Sequence, residues 1–540
     1  MRLVTVAEMR AIEKEGNARG VSYAEMMERA GTGVARIVHE LFNRSAHDTV
    51  TALVGTGNNG GDALVALEAL ASLGWRARAI LVRPRPEGDS LINRVELAGG
   101  EFLTLNGNSS WNELETWMHT SDVLLDGILG TGFQLPLKPE LEGILSRLLE
   151  IILPPHIVAV DCPSGVDCDS GEAAPVVLPA EVTICMEAVK VGLLRFPANN
   201  FVGRLEVVDL GLPSDIEVFQ SIKTFVVSAQ DVERDIPVRP KDAHKGTFGT
   251  AMVVAGSVNF TGAAALAGEA AYRIGAGLVR MAVPGPLHAV LSGLLPEVTW
   301  VLLPHEMGMI AEEAADVFLS SLERVTAVLI GPGLGLEQTT TRFIQRILAS
   351  TQAESKREGL GFLGSARRKL HEIIGLPPCV IDADGLKHLV HLPDWFNKLP
   401  AESILTPHPG EMSVLTGLEI GEIQADRIEI ARKFAVKWGH VVVLKGAMTV
   451  IASPEGNAYV VPVATAALAR AGTGDVLAGL IVGLRAQGVS AVTSAKVGAW
   501  IHAQAGLAAI DLVGHPASVL AGDVLAAVPE IMRRFDHGSS

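Results

Sequence analysis

Four short stretches hold residue types and spacings able to do chemistry. AGTGDVLAG, residues 471 to 479, sets two glycines before an acidic residue and an apolar run. Backbone N–H groups at such a helix N-terminus bind anions, and Asp475 among them can accept a proton. The same pattern also suits a plain glycine loop in which Asp475 only complements the helix dipole. GTGNNGGDA, residues 55 to 63, lets backbone approach a ligand just before a helix. Its spacing is not GxGxxG, and no acidic residue ends the next strand-like run, RARAILV, where dinucleotide binding would want one. DGILGTGFQLP (126 to 136) and DCPSGVD (161 to 167) add two carboxylates, a glycine turn and a hydroxyl. Each aspartate alone is equally a turn former. Three such sites converging on one sheet edge read as a ligand site, because open α/β sheets bind at the carboxyl ends of their strands.

The elements that must position these residues follow from periodicity. Thr5 with Glu8 and Ser22 with Glu25 fit capping boxes, which predicts two short helices before Gly31. From Val50 onward, strand-like runs (TVTALVG, RARAILV, DVLLDGILG, HIVAVDCPSG, EVTICM, RLEVVDLGL) alternate with helical stretches. A charged, proline-punctuated segment at 231 to 245 interrupts the rhythm, which then restarts with GTAMVVAG, GLVRMAVP, RVTAVLIGPG, CVIDADG, SILTPHPG and HVVVLKGAMTVIA. Alternation of this kind predicts mostly parallel sheets covered by helices on both faces. Two such domains are expected, 1–218 and 225–540. The charged stretch from Ser350 to Leu376 reads as a solvated insertion.

Composition excludes several function classes. The chain has 540 residues, 48% of them hydrophobic and 19% charged, too apolar for a disordered protein. With 44 basic and 60 acidic residues the net charge is −16, which argues against a nucleic-acid binder. Four scattered cysteines form no CxxC pair and suit a reducing compartment. No uninterrupted apolar run reaches membrane-spanning length and no secretory leader opens the chain, so a cytoplasmic protein that contacts no membrane is expected.

The first-half motifs NNGGDA, DGILGTGF, DCPSGVD and AEMMERAG resemble the epimerase domain of the NAD(P)H-hydrate repair enzymes, over residues 1 to about 215. That resemblance implies a Rossmann-like αβα domain and a potassium ion ligated by Asn59, Asp126 and Ser164. It also implies that Asn58, Asn59, Gly60, Gly61 and Asp62, with Gly130, Thr131, Gly132, Phe133, Gln134, Leu135 and Pro136, hold the hydrated dinucleotide. Asp161 would touch the reacting ring as acid and base. Ala63 departs from the family's usual glycine. Lys190 matches a lysine-glycine turn of the family and reads equally as a surface lysine or a substrate contact.

In the second half, AGTGD resembles the GxGD of ribokinase-like enzymes. HKGTFG, GPGLG (331 to 335), DADGL (382 to 386), TPHPGEM (406 to 412) and KGAMTVI (445 to 451) are similar to the dehydratase domain of the same repair system. The resemblance implies that Lys445, Gly446, Ala447, Met448, Thr449 and Gly474 bind an adenine nucleotide. Gly262, Gly333, His408 and Asp475 would contact the substrate. His408, between two prolines, also reads as a helix-capping turn residue. Lys387 stands where the family usually has Asn, which is expected to alter hydrogen bonding near Asp384.

The implied function is bifunctional metabolite repair. One domain interconverts the R and S hydrates NADHX and NADPHX with K+. The other dehydrates the S form with ADP and Mg2+, Asp475 being its base, and a homo-oligomer is implied. The alternative is a ribokinase-like vitamin or sugar kinase carrying an N-terminal nucleotide-binding module.

Overall fold

A computed structural model describes residues 1–45, 48–350 and 375–535. Nearly all of the charged stretch from Ser350 to Leu376 lies outside those residues. The chain divides into two compact units, Met1–Val226 and Val227–Ser540. Each has its own buried apolar core.

Both opening capping boxes form, starting α1 at Val6–Ala18 and α2 at Tyr23–Phe42. Helix α2 does not stop before Gly31, as the sequence reading had it, but runs on for another three turns. Glycine here serves packing: a Cβ on Gly31 would fall 2.4 Å from that of Val65, and one on Gly33 would fall 2.3 Å from Val208 Cγ1. The glycines let α2 lie against its neighbours at the cost of some helix propensity.

Seven parallel strands form the first sheet: β1 (Thr49–Val54), β2 (Arg76–Leu81), β3 (Glu101–Thr104), β4 (Val123–Gly127), β5 (His156–Val160), β6 (Val182–Met186) and β7 (Arg204–Val208). Their spatial order is β3-β2-β1-β4-β5-β6-β7. The order reverses between β1 and β4, which opens a crevice at their carboxyl ends. Register pairs Leu53 with Asp126 and Asp126 with Ala159, so Asp126 sits in the sheet centre beside that crevice. Helix α3 (Asn58–Ser72) leaves β1 at the same point.

In the second unit the strands are β8 (Thr250–Val254), β9 (Leu278–Pro284), β10 (Thr299–Leu303), β11 (Ala327–Ile330), β12 (Cys379–Ile381), β13 (Ile404–Leu405), β14 (Val441–Leu444), β15 (Val450–Ala452) and β16 (Ala458–Val460). They lie in the order β16-β15-β14-β13-β12-β11-β8-β9-β10. All pairings are parallel except β14–β15 and β15–β16. The run HVVVLKGAMTVIA is therefore a hairpin rather than one strand, and KGAMT is its connection. Helices α4 (Thr261–Arg273), α5 (Pro409–Thr416), α6 (Thr473–Ala486) and α7 (Ala491–Val513) complete the frame used below. Helix α6 packs on α4 through glycines one turn apart: a Cβ on Gly479 would lie 2.4 Å from the Ala267 carbonyl oxygen, and one on Gly483 2.3 Å from Ile274 Cγ2. Small residues there bring the two helices together and fix where the N-terminus of α6 points.

Candidate functional sites

In the first unit the residues from 58 to 62 form the opening turn of α3, not a loop. Ala63 is consequently helical and fully buried, so the departure from glycine carries no backbone strain. Asn59 Nδ2 donates to the Leu129 carbonyl at 2.7 Å, while its Oδ1 is buried without a hydrogen-bond partner. Ser164 Oγ donates to Asp126 Oδ1 at 2.6 Å and accepts from the Leu129 N–H at 2.9 Å. The Ser164 N–H donates to Asp126 Oδ2 at 2.8 Å. Burial raises the Asp126 pKa against these bonds. Asn59, Asp126 and Ser164, drawn from three segments, thus meet around residue 129. A Cβ on Gly130 would come 3.2 Å from that of Asn59, so a side chain there would crowd the group.

Asp161 follows β5 with φ +64, a left-handed conformation that costs a non-glycine residue about 1 to 3 kcal/mol and is concentrated at functional sites. Its Oδ1 accepts from the Met186 N–H at 3.0 Å and from Lys190 Nζ. Lys190 is not the surface lysine of one reading: it is 1% exposed and also donates to the Met186 carbonyl at 3.1 Å. Burial alone would lower the Lys190 pKa, but the Asp161 carboxylate raises it above its ordinary value. Asp62 faces the same charges: burial, then Asp161 and Glu13, push its carboxyl well up. Glu13 on α1 is likewise raised, by burial first. Sequence reasoning missed Glu13, whose helical pattern marks it as an ordinary surface residue. The turn from Gly130 to Pro136 is partly exposed, and Arg10 of α1 donates to the Thr131 carbonyl at 3.3 Å. Leu135 and Pro136 line a cavity of about 490 Å³ with Glu142, Glu172 and Pro175.

The second unit encloses a cavity of about 420 Å³ at the carboxyl edge of its sheet. His408, Lys445, Gly446, Ala447, Thr449 and Gly474 all line it. Met448 sits behind them, buried, with φ +53. Arg427 holds the hairpin connection by donating to the Leu444 carbonyl at 2.9 Å and the Lys445 carbonyl at 3.2 Å. Lys445 Nζ donates to Asp382 Oδ1 at 2.6 Å and stands 3.5 Å from Glu411 Oε2. A Cβ on Gly474 would lie 3.5 Å from that ammonium. Gly474 belongs to the first turn of α6, whose cap Gly472 takes φ +91, and Asp475 follows it. Burial first, then the charge of Asp382, raises the Asp475 pKa to about 7.

His408 fulfils the capping reading and also lies at the cavity wall. It caps α5, its Nδ1 accepting from the Gly410 and Glu411 N–H groups at 3.0 and 3.2 Å, and it borders the cavity. Lys387 Nζ donates to Asp384 Oδ1 at 3.0 Å, while Asp384 Oδ2 accepts from the Gly335 N–H at 3.0 Å. The lysine therefore adds an ion pair to that carboxylate. Gly262 opens α4 with free space over its Cα, and Gly333, at φ +63, packs against the neighbouring Phe260 and Ala263. Asp382 Oδ2 is buried without a partner. Among the described residues, no cluster of three or more His, Cys, Asp or Glu could hold a metal by itself. No helix among them is long and apolar enough to cross a membrane.

Two family models match the chain. One, described as NAD(P)H-hydrate dehydratase, matches residues 251–354 and 359–529, and the other, YjeF-related protein N-terminus, matches residues 23–192. The bifunctional NAD(P)H-hydrate repair enzyme Nnr of Moorella thermoacetica is 34% identical over 99% of this chain and 97% of its own. The enzyme of that name from Escherichia coli is 31% identical over 92% of this chain and 88% of its own. Among solved structures, the ADP/ATP-dependent NAD(P)H-hydrate dehydratase of Bacillus subtilis, co-crystallized with ATP and Mg2+, is 30% identical. It covers 58% of this chain and 98% of its own, with a TM-score of 0.47.

Proposed function

Because this chain belongs to the bifunctional NAD(P)H-hydrate repair enzymes, we propose that its two sites carry the two steps of that repair. The first interconverts the R and S hydrates, and the second dehydrates the S form with ADP. The observation that carries the reading is the second cavity, lined by Lys445 and Gly474, with Asp475 next in the first turn of α6 and its carboxyl acted on by the charges of Asp382 and Lys445.

In the second site the N–H groups opening α6 and the Lys445 ammonium receive the transferring phosphoryl group. Asp475, half-ionised near neutrality, takes the proton of the ring hydroxyl as its oxygen bonds to that group and the bond to AMP breaks. Phosphate then leaves, pushed by the ring nitrogen lone pair, and loss of a ring proton gives NAD(P)H. Mg2+ bound to one or two carboxylates and to phosphate oxygens would neutralise the developing charge. The partnerless Asp382 oxygen fits that role.

In the first site, Asp161 serves as acid and base while the hydroxyl departs from one face of the ring and returns on the other. K+ would organise the phosphate-binding turns, held by Asn59, Asp126 and Ser164. The partnerless Asn59 Oδ1 supports the assignment, since neutral oxygens suit a large monovalent ion. A cytoplasmic homo-oligomer completes the proposal, and the four free cysteines suit a reducing compartment.

Incubation of the protein with mixed NADHX epimers, K+ and ADP or ATP is the direct test, with NADH absorbance as readout. Full regeneration is expected. A stable phosphorylated alcohol from a vitamin precursor, without NADH, would favour the kinase alternative and sink this one.

A further inference from the structure

Helix α1 carries Arg10 and Glu13, which no sequence motif singles out for chemistry, and its contacts fasten it to the elements of the first site. Leu3–Val4, just before it, pairs in parallel with Val189–Lys190, and Val4 stands opposite Lys190. The Val6 N–H donates to Asp169 Oδ1 at 2.7 Å, and Arg10 Nη2 donates to the Thr131 carbonyl at 3.3 Å. Glu13 lies one turn beyond Arg10 on the same helix face, since residues three apart are neighbours there. Burial raises its pKa, and the charges of Lys190, Asp161 and Arg10 act on it in turn. One face of α1 thus reaches the Gly130–Pro136 turn with Arg10 and the Lys190–Asp161 pair with Glu13. The Glu13 side chain is half-buried, and among the described residues no hydrogen bond to a protein group engages its carboxyl.

Inverting a carbinolamine carbon needs a proton carrier on each face of the ring. The hydroxyl leaves with a proton given from one side, and the water that adds on the other side must lose one. A carboxylate fixed as Asp161 is, by the Met186 N–H and Lys190, serves one side only. On the reading of the first site as that of epimerisation, we propose that Glu13 is its second acid–base group and works on the ring face opposite Asp161. In one direction Glu13 protonates the hydroxyl, and the C–O bond breaks with its electron pair leaving in water. The ring nitrogen lone pair stabilises the cation. Water then adds on the Asp161 side, and Asp161 takes its proton. The opposite conversion runs these steps backwards, so no co-reactant is consumed. Asp62 faces the same cluster from α3, but burial, then the charges of Asp161 and Glu13, push its carboxyl well up. A carboxyl held so firmly protonated is a poor acceptor. Glu13, where Lys190 opposes the effect of burial, can both give and take a proton.

The test uses the full chain with K+ and no nucleotide, so that dehydration is idle, and follows pure R- or S-NADHX in heavy-oxygen water. Chromatography with mass detection then reads two events, inversion of the carbon and exchange of its hydroxyl oxygen. In Glu13→Gln, inversion should fall by about 10²-fold. The epimer whose hydroxyl faces Asp161 should still exchange its oxygen close to the wild-type rate, because that face keeps its acid and base. Asp161→Asn should give the mirror pattern, with exchange surviving in the other epimer. A merely structural role for Glu13 would lower both exchanges together with inversion, and that result overturns the inference. So does inversion at the wild-type rate in Glu13→Gln, and if Asp62→Asn then shows exchange without inversion, the role belongs to Asp62. Wild-type protein that inverts neither epimer faster than buffer would instead count against the reading of the first site.

Discussion

At the residue scale, the two aspartates proposed as acid–base groups are held in different ways. Burial and Asp382 raise the Asp475 pKa to about 7, which suits the base proposed there. Only the ionised form can take a proton, so dehydratase kcat should climb as pH rises through about 7 and level off above it. Asp475→Asn should lower kcat by about 10²- to 10⁴-fold and remove that rise. A steady-state pH series on both proteins decides it. Asp161 is instead fixed in place through one oxygen, by the Met186 N–H and a fully buried lysine. Lys190→Met leaves that carboxylate without its cation and should cost about 3 to 5 kcal/mol of stability. The double variant with Asp161→Asn should recover much of the loss. Chemical denaturation of the three proteins would show otherwise if the single and double variants unfold together.

At the element scale, helix placement sets the geometry. Gly479 and Gly483 seat α6 on α4, and Asp475 lies one turn before the first of them. Gly479→Val should destabilise the second unit by about 1 to 3 kcal/mol through overpacking and lower dehydratase kcat by shifting Asp475. Epimerisation should stay at the wild-type rate, because the first unit has its own core. Equal loss of both activities would show that the effect is not local. Much of this scale was legible beforehand. The capping boxes, the alternation of strands and helices and the glycine turns at strand ends all follow from local chemistry. What the sequence hid depends on distant partners. Gly31 reads as a helix stop until Val65 is seen to need its space. Lys190 reads equally as a surface lysine or a substrate contact until Asp161 is found to neutralise it in the interior. KGAMT reads as strand until antiparallel pairing folds it back.

At the scale of the whole molecule, one chain holds two consecutive steps in separate units. Asp161→Asn protein should regenerate NADH from mixed epimers only until the S form is used. Asp475→Asn protein should regenerate almost none. Mixing the two should restore full conversion, since each supplies the step the other lacks. Absorbance traces of the three reactions give the answer, and a mixture that stops at the S fraction would refute the division of labour.

The second cavity draws its walls from parts of the chain far apart in sequence, around residues 408, 445 to 449, 461 to 477 and 499 to 503. A nucleotide bound there, as proposed, would tie several of these segments together. By mass action it stabilises the folded state by about 2.7 kcal/mol at a hundred times its dissociation constant. The abundance of the nucleotide then sets not only how fast the protein turns over substrate but how long the protein itself survives proteolysis, and a drop in the cellular nucleotide pool would shorten its life before it slowed its chemistry.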